Sequence, residues 1–163
     1  MHPPFEISVL LDAPQSLVWD AVTRPEHLAH WFGPKGSVIR HSDMDFRVGG
    51  SYHYCADFFG FPLWGLWTFT EIMPADRLVV LQCFSDAQRG ATRHPMAPVW
   101  PLHTRSTTAL AAEGAQTRLT LQWQPEGATP EEQLLFDASH ASMHGGWSGS
   151  FEVLAAYLQT LAR

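Results

Sequence analysis

The sequence predicts an α+β fold in which a curved antiparallel sheet bends around a long C-terminal helix. Two patterns carry that reading. Apolar residues alternate at period two in the first segment and again through the middle of the chain, and the last segment carries a single apolar stripe at offsets of four, three, four and three. Its length of 163 residues suits a single domain, residues 1–163, with a substantial core.

The first strand is read from Phe5, Ile7, Val9 and Leu11, which share one face. Two short helices follow, each entered through a proline where no N–H is needed: Pro14 leads into Gln15–Val22, and Pro25 into Glu26–Phe32. Gly33-Pro34-Lys35-Gly36 then stops helical structure. Six strands are expected next, over Ser37–Phe46, Gly50–Phe58, Leu63–Ile72, Arg77–Ser85, Leu102–Ala111 and Gln116–Gln124. Tyr52 with Tyr54, Trp67 with Phe69, and Leu119 with Leu121 and Trp123 put large apolar groups on one sheet face.

Thr129-Pro130-Glu131-Glu132 has the pattern of a capping box, so the terminal helix is expected to begin there. Trp147, Phe151, Leu154, Leu158 and Leu161 form its stripe, with Phe136, His140 and Met143 on roughly the same side upstream. Gly145-Gly146 is expected to kink this helix or to admit a neighbouring backbone. The order is therefore strand, two helices, six strands and helix, with space left between sheet and helix.

Composition narrows the functional classes. Lys plus Arg total 10 against Asp plus Glu 16, and Lys35 is the one lysine, which argues against a phosphate backbone as partner. The apolar stretch Phe58–Trp67 is broken by Gly60, Pro62 and Gly65 and is too short to span a membrane. With no export-type N-terminus, and with Cys55 and Cys83 read as reduced strand residues, a cytoplasmic protein is expected.

Several segments in order resemble the START-like helix-grip (SRPBCC) superfamily, in the branch related to the C-terminal domain of the activator of Hsp90 ATPase. They are Ala13-Pro14 with Val18-Trp19-Asp20-Ala21, Thr23 with Pro25-Glu26-His27-Leu28, Trp31-Phe32-Gly33-Pro34, Asp45-Phe46-Arg47-Val48-Gly49-Gly50, Gly65 with Glu71-Ile72, and Gly146-Trp147 with Leu154-Ala155-Ala156-Tyr157-Leu158. Phe84-Ser85-Asp86, Thr92-Arg93-His94-Pro95 and Trp100-Pro101-Leu102 resemble a bacterial subgroup of that branch. The resemblance implies a sheet gripping a helix around an apolar cavity that takes a lipid, polyketide or other small hydrophobic molecule. It does not imply one activity. Hsp90 activation is not expected, because in the eukaryotic co-chaperone a separate N-terminal domain supplies much of the chaperone contact.

The expected cavity wall is Tyr54, Trp67, Phe69, Trp123, Phe136, Met143 and Trp147, with His140, Arg93 and His94 as the polar end. No metal and no organic cofactor is expected. His140 and His144 have the i, i+4 spacing of a shared metal, with Asp137 one turn earlier, but the third ligand and second-shell support that a complete site needs are missing from the pattern. Covalent catalysis has little support: no Gly-x-Ser-x-Gly elbow exists, and Trp147-Ser148-Gly149-Ser150 is expected to meet no base. Proton transfer by His140, Asp137 or Tyr54 remains an alternative, as does a protein-interaction module with a filled core. Arg47-Val48-Gly49-Gly50 reads as a tight turn, not an anion cradle, with Asp45 or Asp43 pairing with Arg47. The proline-rich segment 86–101 is expected to cover the cavity mouth or to form a homodimer contact.

Overall fold

The computed structural model describes residues 2–161. In chain order the elements are β1 (Phe5–Leu11), α1 (Gln15–Thr23), α2 (Pro25–Trp31), β2 (Val38–Met44), β3 (Ser51–Phe58), β4 (Phe61–Met73), β5 (Arg77–Ser85), β6 (Ala91–Thr92), β7 (His103–Glu113), β8 (Gln116–Glu126), α3 (Pro130–Ala138) and α4 (His140–Leu161). This is the expected α+β helix-grip arrangement. The six expected central strands are present, and β6 is an addition: two residues that pair along the end of β5, Thr92 opposite Phe84.

The sheet runs β1-β8-β7-β5-β4-β3-β2, with every neighbouring pair antiparallel. The first strand thus returns beside the last, Phe5 facing Trp123 and Ile7 facing Leu121. Because β1 and β2 are opposite edges, α1 and α2 between them must carry the chain from one edge to the other. The β4–β5 register slips between Phe69 and Glu71, and Thr70 uses its hydroxyl to donate to the Val79 carbonyl at 3.1 Å. A second slip lies between Ile39 and His41. Bulges of this kind bend a sheet and increase its twist, which is what a sheet wrapping a helix requires.

The core lies between the sheet's inner face and α4. Phe151, Leu154 and Leu158 of α4 are buried with Leu11, Leu119 and Phe69 of the sheet and Val18 and Leu28 of the short helices. Each such side chain contributes about 1.5–3 kcal/mol by leaving water. Polar ties fix the helix in place. The His27 Nδ1 and the Tyr157 hydroxyl are 2.6 Å apart, His30 stacks on Tyr157 at 4.5 Å, and the Ser150 hydroxyl donates to the Gly33 carbonyl at 2.9 Å.

The terminal helix differs from expectation in where it breaks. The capping box is present: the Thr129 hydroxyl accepts from the Glu132 N–H at 3.2 Å, and the Glu132 carboxylate accepts from the Thr129 N–H at 3.0 Å. The helix that starts there ends at Ala138, however, and Ser139 separates it from α4. Ser139 turns its hydroxyl back onto the Leu135 carbonyl at 2.7 Å, a local bond that competes with helix continuation, and its own carbonyl accepts from the Met143 N–H. Across Gly145-Gly146 the helix is continuous. A Cβ on either glycine would meet nothing within 4 Å, so no neighbouring backbone approaches there. Packing of Met143, Trp147 and Phe151 on either side of the pair holds turns that glycine alone disfavours.

The corner after β2 is a tight turn, as expected. Gly49 has φ +85°, and its N–H donates to the Phe69 carbonyl at 2.8 Å. Asp45 pairs with Arg47 at 2.7 Å, while Asp43 pairs instead with Arg89 from the turn after β5.

Candidate functional site

Between the inner sheet face, α4 and segment 86–101 lies a cavity of about 650 Å³, partly open to solvent. That volume falls within the range of small-molecule pockets, roughly 300–1,000 Å³. Its floor is sheet: Tyr54 from β3, Gln82 and Phe84 from β5, Trp123 from β8. Met143, Gly146 and Trp147 of α4 form one wall, and Phe32 with Gly33 and Pro34 another. Segment 86–101 closes over it with His94, Ala97 and Trp100. Two smaller voids of about 80 and 60 Å³ adjoin, and Tyr54 and Gln82 border all three spaces.

Residues at period two place these side chains. Leu78, Val80, Gln82 and Phe84 are alternate positions of β5 and share the inner face. Tyr54 faces Gly65 across the β3–β4 ladder, and a Cβ on Gly65 would lie 2.3 Å from the phenol ring. Only a residue without a side chain lets the ring lie across that strand. Phe32 packs edge-on against Tyr54 and against Trp67, both at 5.1 Å. Burial, with the neighbouring Tyr52 adding to it, pushes the Tyr54 phenol well above the ordinary phenolic range, so it is an O–H donor at neutral pH.

The cover is tied down at both ends. Asp86 accepts from the N–H groups of Gln88 and Gly90, at 2.9 and 2.8 Å, and its carbonyl meets the His53 Nε2 at 3.0 Å. Arg93 donates to Glu132 at 2.5 Å and to the Trp100 carbonyl at 3.1 Å, which links the segment to the capping box of α3. Glu132 is nearly buried, and its acceptance of the Thr129 N–H, followed by the bond from Arg93, holds its carboxyl below the usual range. The Trp100 ring packs on Trp123 at 5.8 Å and on Phe136 at 5.4 Å.

The sequence-expected site residues divide into three groups. Tyr54, Trp123, Met143, Trp147 and His94 line the large cavity together. Trp67 lines the void of about 80 Å³ beside it. Phe69, Phe136, His140 and Arg93 do not border these spaces. Phe69 is core, packed on Phe46 and Trp67. Phe136 is fully buried behind Trp100 and Trp123. His140 sits between the Phe5 and Phe136 rings, each at 5.6 Å, with its Nε2 buried and unpaired. Arg93 is turned to Glu132. Gln82 and Trp100 are cavity residues that the sequence reading did not select. Gln82 had a legible signal, as the polar interruption of an apolar period-two face.

The alternatives for chemistry can be placed as well. Among the described residues, no group of three His, Cys, Asp or Glu is arranged to hold a metal. Asp137 is engaged by Gln133 at 2.9 Å and His2 at 2.7 Å, which hold its carboxyl low. Ser148, contrary to expectation, does meet a base: its hydroxyl lies 3.5 Å from the His144 Nδ1, on the exposed side of α4 and one turn away. Burial pushes the thiols of Cys55 and Cys83 up, away from thiolate reactivity. No helix among the described residues is long and apolar enough to cross a membrane.

Solved structures share this architecture. A protein from Arthrobacter aurescens is 26% identical over 96% of this chain and 86% of its own, with a TM-score of 0.78. A protein from Nitrosomonas europaea is 23% identical over 98% and 96%, with a TM-score of 0.74. One from Silicibacter pomeroyi is 17% identical over 95% and 98%, with a TM-score of 0.71. No curated protein matches the chain. A family model for the activator of Hsp90 ATPase homolog 1-like proteins matches residues 12–159, nearly the whole chain, and the chain belongs to that family.

Proposed function

We propose that the protein binds a small, largely apolar molecule between the inner sheet face and α4. The observation that carries this reading is the cavity of about 650 Å³, lined largely by apolar and aromatic side chains and covered by residues of segment 86–101. A chain that needed only stability would close such a space, since a void forgoes both transfer and dispersion energy. Gly146 borders the cavity, and a Cβ there would meet nothing within 4 Å. Of the three proton-transfer candidates, Asp137 and His140 are engaged or enclosed outside the cavity and only Tyr54 borders it, which supports binding without chemistry as the simpler account.

Native mass spectrometry of freshly purified protein, before and after incubation with diphenylmethane, tests the reading. A defined extra mass released by denaturing extraction, or a saturable one-to-one adduct with the probe, is the expected result. The bare mass alone under both conditions overturns it.

A further inference from the structure

The floor of the cavity carries more than rings. Gln82 of β5 stands directly opposite Thr104 of β7, and Ser106 of β7 stands opposite Trp123 of β8. Thr104 and Ser106 are buried, and each borders one of the small voids that adjoin Gln82. Tyr54, Gln82 and Trp123 border both the cavity and the void of about 60 Å³. The Trp123 indole nitrogen is buried with no acceptor in the protein. An unmet buried N–H is costly, and beside it the Tyr54 hydroxyl and the Gln82 amide donate no hydrogen bond among the described residues and face a floor that is otherwise mostly apolar.

The chemistry of this patch is neutral. Tyr54 and Gln82 offer an O–H and an amide to the cavity, while the Trp123 indole N–H beside them is closed off from it. No Lys, Arg, Asp or Glu borders the cavity or the two voids, among the described residues. The cover's two arginines are committed elsewhere, Arg93 to Glu132 and Arg89 to Asp43. His94 lies on the cover against Phe84, where burial lowers its affinity for a proton. A carboxylate taken into this space would lose its hydration and gain no counter-charge. A ketone, aldehyde or ester carbonyl would lose much less and would find donors.

From this placement we infer that the cavity selects an uncharged molecule with a carbonyl-type oxygen on an apolar skeleton, its oxygen bound by Tyr54 and Gln82 on the floor, and discriminates against the corresponding carboxylate. The inference rests on the cavity being a ligand site.

Three probes of similar shape separate the two ideas: benzophenone, diphenylmethane and diphenylacetate, titrated calorimetrically at neutral pH into wild type, Gln82→Leu and Tyr54→Phe. For wild type, benzophenone is expected to bind about tenfold or more tightly than diphenylacetate, the scale of an uncompensated buried charge. Each variant should weaken benzophenone relative to diphenylmethane by about two- to tenfold, one hydrogen bond's worth. The paired variants keep the test open if one fails to fold, which thermal melting reports. Diphenylacetate binding as tightly as benzophenone, or both variants shifting ketone and hydrocarbon alike, overturns the inference while leaving the cavity reading intact. No saturable binding of any probe to wild type overturns both.

Discussion

The Tyr54 ring lies across Gly65 on the adjacent strand, so close that a methyl group on Gly65 would sit 2.3 Å from the phenol oxygen. This glycine is therefore part of the cavity's construction. Gly65→Ala should displace the ring, destabilise the protein by about 1–3 kcal/mol as overpacking does, and weaken probe binding. Chemical denaturation and calorimetry check both. Unchanged stability would mean that the ring has room to move.

The opposite sign is expected on α4. A Cβ at Gly145 would meet nothing within 4 Å, so Gly145→Ala adds helix propensity without a clash. It should raise stability by about 1 kcal/mol. A loss of stability would show that the helix needs glycine there for a reason other than space.

Trp67 is 8% exposed and meets the rings of Phe32 and Tyr52 edge-on, each at 5.1 Å. Trp67→Ala should cost about 3–5 kcal/mol and enlarge the void beside the cavity. An unchanged denaturation midpoint would contradict the burial of this ring.

These sites also show how the sequence can be read and where it misleads. Period-two alternation placed Tyr54, Trp67 and Trp123 on the inner face, because strand geometry leaves each side chain only two directions. Helical spacing likewise placed Phe151, Leu154 and Leu158 on the buried side of α4. What spacing does not encode is depth. Phe69 and Phe136 share the face or stripe of the cavity residues, yet both end behind the wall, since depth depends on what covers them. Composition points to Gly145-Gly146 as the break, yet the helix breaks at Ser139, because tertiary packing overrides propensity at the glycines while a side-chain bond redirects the backbone at the serine. The place of Arg93 in the cover points it to the cavity, but its partner Glu132 is 39 residues away, beyond any local pattern.

That ion pair makes the cover testable. Glu132→Ala removes both the reciprocal bond of the capping box and the partner of Arg93. A stability loss of about 1–2 kcal/mol is expected from the cap, together with faster amide exchange across residues 91–100. Exchange that does not change there would show that Trp100 alone secures the segment.

The cover should also respond to pH. Burial holds the His94 imidazole below the ordinary value of 6.5, and its Nδ1 accepts the Met96 N–H at 3.0 Å, which requires an unprotonated nitrogen. The unfolded chain takes up a proton there more readily than the folded one. This contribution to stability is therefore complete above 6.5 and is lost as the pH falls below it. His94→Gln should flatten the pH dependence of the denaturation midpoint in that window relative to wild type; identical profiles would contradict the assignment.

The central claim is that the space between sheet and α4 is a binding site, and Met143 reports on it directly. Its side chain lines the cavity, whereas Met73 and Met96 are 46% and 79% exposed on the surface. With carbon-labelled methionine methyl groups, titration with benzophenone should shift the Met143 methyl resonance saturably, by ring currents, and leave Met73 in place. A Met143 signal that stays fixed through saturation, or shifts confined to the exposed methyl groups, would contradict the account.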